Sequence, residues 1–343
     1  MIVLTGGGTG GHLAVVSAVK EALNAKGVKP FFIGSDHGQD RAWFGKDSGF
    51  IDKMFLPSKG VMNRKGLGKL FSLLNNGRLV LRTRKSLSAL GVKAVFSAGG
   101  YAAAPAAIAA ASLKIPLVIH EQNAVSGALN RRLKPFCKAF YSSFDPLSPC
   151  ADYPVKRVFF DKARVRSKIN AVIFLGGSQG SEAINQFAMS VAPALTARGV
   201  KIIHQCGRSG FEEARKFYEE NAVDADVFAF NSNLVDLFTQ ADLAVARAGA
   251  GTLFELTANG LPALFVPYPF AAGNHQMANA KYISQKELGW CVEESRLSPE
   301  VLFNILPVDL TDISKQLAKE VRYGGAIAIA ERLMILQKTA NKL

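Results

Sequence analysis

Acidic residues are scarce in the part of this 343-residue chain where basic residues are plentiful. Residues 1–160 hold 22 Lys/Arg against 8 Asp/Glu, whereas residues 161–343 hold 19 of each, so the net charge of +14 belongs to the first part. Between Asp52 and Asp145 the only acid is Glu121, while eleven Lys/Arg lie from Lys53 to Lys114. Such imbalance points to an anionic partner: nucleic acid, a membrane surface or a phosphorylated substrate. Long apolar runs are also missing. A bilayer needs roughly 18–20 such residues, and Ala102–Leu113 is short and interrupted by Pro105. Met1 leads straight into the strand-like Ile2–Thr5 without a signal-peptide pattern. The four cysteines, Cys137, Cys150, Cys206 and Cys291, have no CxxC spacing. A cytoplasmic chain without structural metal is the expectation. No helix-turn-helix, zinc or RNP signature accompanies the basic stretch, so no nucleic-acid partner is expected.

What is present is an alternation of short β-branched or aromatic runs with helical stretches, which predicts parallel sheets flanked by helices. Strands are expected at Ile2–Thr5, Pro30–Ile33, Ala94–Ser97, Pro116–His120, Ala171–Leu175, Lys201–Gln205, Val227–Phe230, Leu243–Ala246 and Ala263–Pro267. Helices are expected at Ala14–Ala25, Ser181–Ala197, Gly210–Asn221, Leu234–Gln240 and Thr252–Asn259. One design occurs twice: strand, Gly-rich turn, helix, with GGGTGGH at 6–12 and GGSQG at 176–180. The Pro-containing stretch 145–168 separates the two copies and coincides with the charge break. The pattern predicts an α/β protein of two Rossmann-like domains with a cleft between them, residues 1–157 and 158–325. Apolar positions 326, 329, 330, 333 and 336 predict a C-terminal amphipathic helix over 326–343, which could return to the first domain or stay on its own.

Glycine turns at helix starts let backbone N–H groups approach phosphate oxygens. Gly6, Gly8 and Gly11 fit GxGxxG, and Asp36 ends the next strand where a ribose-binding acid would lie, so an NAD(P)-dependent oxidoreductase is one reading. His12, however, sits where a helix normally packs on a small residue, and an imidazole beside a cleft suits a general base. Further clusters are SAGGYAAAP (97–105) with Tyr101, IHEQN (119–123) leaving a strand, and ARAGAGTLFELTANGLPALFVP (246–267), which sets Ala250–Thr252 at a helix start with Glu255 one turn inside. Asp224–Asp226 spells DxD, expected here to be a surface loop before a strand.

With GGTGGH (7–12), GGY (99–101), HEQN (120–123), GGSQG (176–180) and GLPALFVP (260–267) in register over nearly the whole chain, the sequence resembles the MurG family of GT-B glycosyltransferases. The resemblance implies two Rossmann-like domains with parallel sheets facing across a cleft. It implies inverting transfer of GlcNAc from UDP-GlcNAc to the C4 hydroxyl of undecaprenyl-pyrophosphoryl-MurNAc-pentapeptide, with no cofactor and no metal. On the donor side it implies Ser178 and the Ala250, Gly251 and Thr252 amides for the diphosphate, and Glu255 for the ribose. The backbone near Asn231 and Leu234 would hold the uracil, and His275 and Gln276 would read the GlcNAc hydroxyls or the phosphates. Thr9, Gly10, Gly11 and Asn123 would close on the donor sugar. The family's linker arginine is replaced by Lys156, which keeps the charge and loses the planar fork. His12 is the candidate base and Glu121 its competitor, with Tyr101 and His120 on the acceptor side. Val61, Met62, Leu67, Leu70 and Phe71 interleave with Arg64, Lys65 and Lys69, a pattern suited to docking on anionic inner-leaflet phospholipid at the cytoplasmic face of the membrane. Partners among cell-wall synthesis and division proteins go with that placement. A UDP-GlcNAc 2-epimerase is the nearest alternative, needing neither lipid acceptor nor basic patch.

Overall fold

The structure, a computed structural model, describes residues 1–60, 66–177, 180–231 and 233–340, and of residues 66–74 the backbone only. The chain forms two compact units: Met1–Gln122, Ser126–Lys156 and Tyr323–Leu343 make unit 1, and Asn123–Val125 with Arg157–Arg322 make unit 2.

Unit 1 runs β1 (Ile2–Thr5), α1 (Gly10–Ala25), β2 (Phe31–Ser35), α2 (Asp40–Phe44), β3 (Lys53–Leu56), α3 (Gly66–Ala89), β4 (Ala94–Ser97), α4 (Ala104–Ser112), β5 (Leu117–Glu121), α5 (Ala128–Leu133) and β6 (Ala139–Ser142). Its six parallel strands are ordered β3-β2-β1-β4-β5-β6. The four inner strands β2, β1, β4 and β5 are buried on both faces. Val3, Ile33, Val95 and Ile119 pack against the small side chains Ala106, Ala107, Ala109 and Ala110 of α4.

Unit 2 runs α6 (Arg157–Asp161), β7 (Ala171–Leu175), α7 (Glu182–Thr196), β8 (Lys201–Gln205), α8 (Gly207–Glu220), β9 (Ala225–Phe228), α9 (Leu234–Gln240), β10 (Leu243–Ala246), α10 (Ala250–Ala258), β11 (Ala263–Phe265), α11 (His275–Ser284), β12 (Trp290–Cys291), α12 (Pro299–Ile305) and α13 (Thr311–Glu320). The order β12-β11-β10-β7-β8-β9 repeats the topology of unit 1. Val172, Phe174, Ile202, Val245 and Leu264 bury against Ile184, Phe187 and Val191 of α7.

The last helix, α14 (Gly325–Thr339), belongs to unit 1. It lies against α1 and β4, with Lys93 Nζ donating to Ala340 O at 3.1 Å and Lys26 Nζ 3.0 Å from Glu331 Oε1. Its entry is tight: a side chain at Gly325 would meet Asp152 O at 2.1 Å. Residues 123–125 cross the other way, because Asn279 of α11, fully buried, donates to Asn123 Oδ1 and accepts from Ala124 N at 2.9 Å. The units are therefore not divided at one point in the sequence.

Three strands escaped the sequence pattern: β3, β6 and β12, all outside the sheet centres. Asp226 lies inside β9, ion-paired to Lys201 at 2.6 Å, which corrects the loop expected around DxD. Among the described residues no helix is long and apolar enough to cross a membrane.

Candidate functional site

In an open parallel sheet, ligands bind beyond the strand carboxyl ends where the strand order reverses. In unit 1 that point lies between β1 and β4, and in unit 2 between β7 and β10. The segments that follow these four strands are the glycine motifs at 6–12, 97–101, 176–180 (residues 178 and 179 lying outside the described residues) and 246–252. Each unit thus carries its own candidate crevice.

In unit 1, α1 starts at Gly10 rather than Ala14, so His12 stands in its first turn. Thr9 occupies the N-cap position with extended backbone but makes no side-chain cap. Its Oγ1 lies instead 2.8 Å from His12 Nδ1. When Nδ1 carries the proton and donates to Thr9, the imidazole lone pair is on Nε2, the tautomer a base requires. Tyr101 covers the turn: its hydroxyl donates to His37 O at 2.8 Å, and a side chain at Gly8 (φ +86°) would lie 2.4 Å from its ring.

The other unit 1 candidates are held more tightly. Glu121 is 3% exposed, and its Oε2 accepts from Gly127 N at 3.0 Å and Asn130 Nδ2 at 2.9 Å, tying the turn between β5 and α5. His120 is 1% exposed, edge-on to Tyr153, with no hydrogen-bond partner for either ring nitrogen among the described residues. Burial, reinforced by the nearby His12, lowers its pKa to about 3, so it is neutral at pH 7. Lys156 Nζ lies 3.0 Å from Glu21 Oε1, which places this expected donor contact within unit 1.

In unit 2, α10 begins after Gly249, and the amides of Ala250, Gly251 and Thr252 are the orphan donors of its first turn. Gly251 is buried, Thr252 and Glu255 half-buried. Asn231 Oδ1 accepts from Asn233 N at 2.7 Å, forming the turn that launches α9 at Leu234. His275 Nδ1 donates to Ala272 O at 2.8 Å, and Gln276 Oε1 accepts from Tyr268 N at 2.9 Å. Asn123, expected on the opposite wall from the donor domain, is held by Asn279 inside unit 2. Ser178 lies outside the described residues, as do Val61, Met62, Arg64 and Lys65; Leu67, Lys69, Leu70 and Phe71 lie on α3, where side chains are not described.

Several shaping residues carry no recognisable sequence signal. Asp36 pairs with Arg41, and the acid that meets the first glycine turn is Asp40. Its buried carboxylate accepts from Gly8 N at 2.6 Å and Ser35 N at 2.8 Å. Burial pushes its pKa up against those donors. A side chain at Gly7 would lie 2.1 Å from Asp40 Oδ2, which explains that glycine. In unit 2 the fully buried Arg166 donates to Phe238 O at 2.8 Å, Ala241 O at 3.3 Å and Asn259 Oδ1 at 2.6 Å, and also to Asn259 O. It thereby gathers the carboxyl ends of α9 and α10, and burial lowers its pKa to about 9. No group of three or more His, Cys, Asp or Glu side chains suited to a metal occurs among the described residues.

Residues 2–142 match the glycosyltransferase family 28 N-terminal domain and residues 171–331 its C-terminal domain. The UDP-N-acetylglucosamine–N-acetylmuramyl-(pentapeptide) pyrophosphoryl-undecaprenol N-acetylglucosamine transferase of Wolinella succinogenes is 51% identical, the match covering 97% of this chain and 99% of that one. The same-named protein of Campylobacter jejuni subsp. doylei is 46% identical, over 97% of each chain. The crystal structure of Acinetobacter baumannii MurG is similar with a TM-score of 0.77 at 26% identity, covering 97% of this chain and 98% of that one. The glycosyltransferase SnogD of Streptomyces nogalater, at 17% identity and TM-score 0.68 over 98% of both chains, shares the fold. Together with the two six-stranded parallel sheets, these matches establish the α/β GT-B class.

Proposed function

The chain belongs to the family of UDP-N-acetylglucosamine–N-acetylmuramyl-(pentapeptide) pyrophosphoryl-undecaprenol N-acetylglucosamine transferases, and from that premise we propose that it transfers GlcNAc from UDP-GlcNAc to the C4 hydroxyl of the lipid-linked muramyl-pentapeptide. The observation that carries this reading is near-full-length identity to relatives of that name. The glycine turns at both sheet reversals support it.

Unit 2 is the donor unit in this reading. The Ala250, Gly251 and Thr252 amides and Ser178 take the diphosphate, Glu255 the ribose hydroxyls, and the backbone at Asn231 and Leu234 the uracil. His275, Gln276 and Asn123 meet the sugar. Unit 1 receives the acceptor beside Tyr101 and His120, while its Thr9, Gly10, Gly11 and Lys156 serve the donor. His12 is the base, because the Thr9 contact orients its ring while the Glu121 carboxylate is committed to the turn beneath it. His12 Nε2 takes the C4 hydroxyl proton as that oxygen bonds to the anomeric carbon from the face opposite the diphosphate. The bond from that carbon to the diphosphate breaks, UDP departs, and the configuration inverts. Fixed N–H groups at the α10 start stabilise the charge on the leaving diphosphate without reorganising.

The acid-poor stretch supports a peripheral place on the cytoplasmic face of the membrane, where each Lys/Arg near an anionic leaflet contributes about 1 kcal/mol. Sedimentation with vesicles tests this, and absence of binding at low salt to anionic vesicles overturns it. The function itself is tested by transfer of labelled GlcNAc from UDP-GlcNAc to a short-chain lipid acceptor, with His12→Ala alongside. No transfer by the wild type overturns the function; full activity in His12→Ala overturns only the choice of base.

A further inference from the structure

Arg247 is the first residue after β10 and directly precedes the turn that opens α10. Its side chain is 12% exposed and spans the carboxyl edge of the sheet. Nη1 donates to Val266 O at 3.2 Å and Pro267 O at 3.4 Å, just past the end of β11. Nη2 lies 2.5 Å from Glu294 Oε2, in the 3₁₀ turn after β12, as an ion pair without hydrogen-bond alignment. The guanidinium also sits 5.5 Å from the Tyr268 ring centroid, and Tyr268 N donates to Gln276 Oε1 on α11. One side chain therefore joins the ends of three adjacent strands and reaches the start of α11 through Tyr268.

A cation next to a glycine turn invites the view that it binds phosphate directly. The geometry favours another role: its donors point to carbonyls of the same sheet edge, and Glu294 neutralises its charge. We propose that Arg247, braced by Glu294, is a positioning residue that fixes the Arg247–Gly249 turn and hence the Ala250–Thr252 amides for a nucleoside diphosphate. The inference rests on the donor reading of unit 2. It makes Glu294, remote from any assigned contact, a determinant of nucleotide affinity.

The two roles predict opposite signs. If Arg247 only positions the turn, Glu294→Gln loosens the brace and weakens nucleotide binding. If Arg247 is itself a phosphate ligand, removing its internal counter-ion releases it and tightens binding. Calorimetric titration of UDP into the full chain reads this directly. Glu294→Gln and Arg247→Met are each expected to raise Kd about five- to tenfold, and the double variant no further, since both break one unit. Arg247→Lys is not expected to rescue, because an ammonium cannot span the two carbonyls and the carboxylate together. In steady-state transfer the loss should fall on the donor KM, leaving the acceptor KM unchanged.

Tighter or unchanged UDP binding in Glu294→Gln overturns the proposal, as does an Arg247→Lys variant that binds like the wild type. A variant with a lowered melting temperature but wild-type Kd overturns it too, since the brace is then structural only. Failure of the wild type to bind UDP removes the donor reading itself. Binding by the wild type with no response in the variants removes only the brace.

Discussion

His204 provides a sharp test of the packing in unit 2. Its ring is fully buried on β8, with Nδ1 3.0 Å from the Tyr218 hydroxyl and Nε2 3.0 Å from Asn185 Oδ1. Asn185 Nδ2 in turn donates to Cys206 O at 2.9 Å, so the imidazole is one member of a closed polar network beneath α7 and α8. Burial lowers its pKa from 6.5 to about 4. A histidine that resists protonation when folded leaves the unfolded chain binding more protons between these two values. Stability is therefore complete above the unfolded value and is lost as the pH falls from 6.5 toward 4. At pH 5 the lost contribution is about 2 kcal/mol, from roughly 1.4 kcal/mol per unit over one and a half units. The chain has two tryptophans, Trp43 in unit 1 and Trp290 in unit 2, so a Trp43→Phe background makes fluorescence report unit 2 alone. In urea the midpoint should drop by about 1 M between pH 7 and pH 5. His204→Gln, uncharged throughout, should reduce that pH-dependent drop, whatever its own stability at pH 7. Equal drops in the two proteins would refute the reasoning.

Three other outcomes follow from the geometry. Thr9→Val should lower kcat about ten- to a hundredfold by releasing the His12 ring, while Thr9→Ser, which keeps the hydroxyl, should recover most of it; the transfer assay decides. Gly7→Ala should destabilise unit 1 by about 1–3 kcal/mol, because the new methyl falls on the Asp40 carboxylate. Combined with Asp40→Ala the two penalties should not add, as read from Trp43 in a Trp290→Phe background. Arg166→Met should cost unit 2 about 3 kcal/mol or more in urea, since it strands the Asn259 side-chain oxygen and carbonyls at two helix ends.

The two-sheet architecture was legible because parallel strands buried on both faces leave continuous apolar runs, and because the glycine turns must lie at their carboxyl ends. Three of the four edge strands were not legible, β9 alone being anticipated, about two residues late. Lys53–Leu56 is half-buried at three of four positions and begins with a lysine, so it lacks the apolar density that marked the centre. The start of α1 was displaced because Gly10 and Gly11 read as turn residues, whereas both are helical. Asp40 was missed for a related reason. A ribose-binding acid is sought at the strand end, which selects Asp36, while the carboxylate that folds back onto the turn comes four residues later from the start of α2. Contacts of that kind depend on where the chain returns, and local periodicity carries no record of it.

Charge along the sequence and charge at the turns point to different places, and the turns are the better guide to a nucleotide. The basic excess lies in residues 1–160, yet the titratable group built against the first glycine turn is the buried carboxyl of Asp40, which takes up the Gly8 N–H. An anion approaching that turn finds the Gly8 N–H already taken by the Asp40 carboxyl. At the β10 turn an anion meets the N–H groups of a helix start, with Arg247 held beside the turn by its own counter-ion. Unit 1's positive charge, by contrast, is carried by exposed side chains such as Arg78 and Arg82, which suits an extended, hydrated surface better than one enclosed diphosphate. Two units of one topology thus differ in what each glycine turn offers an anion: the first-turn amides of α10 in unit 2, and in unit 1 a turn whose Gly8 N–H is already bound by Asp40.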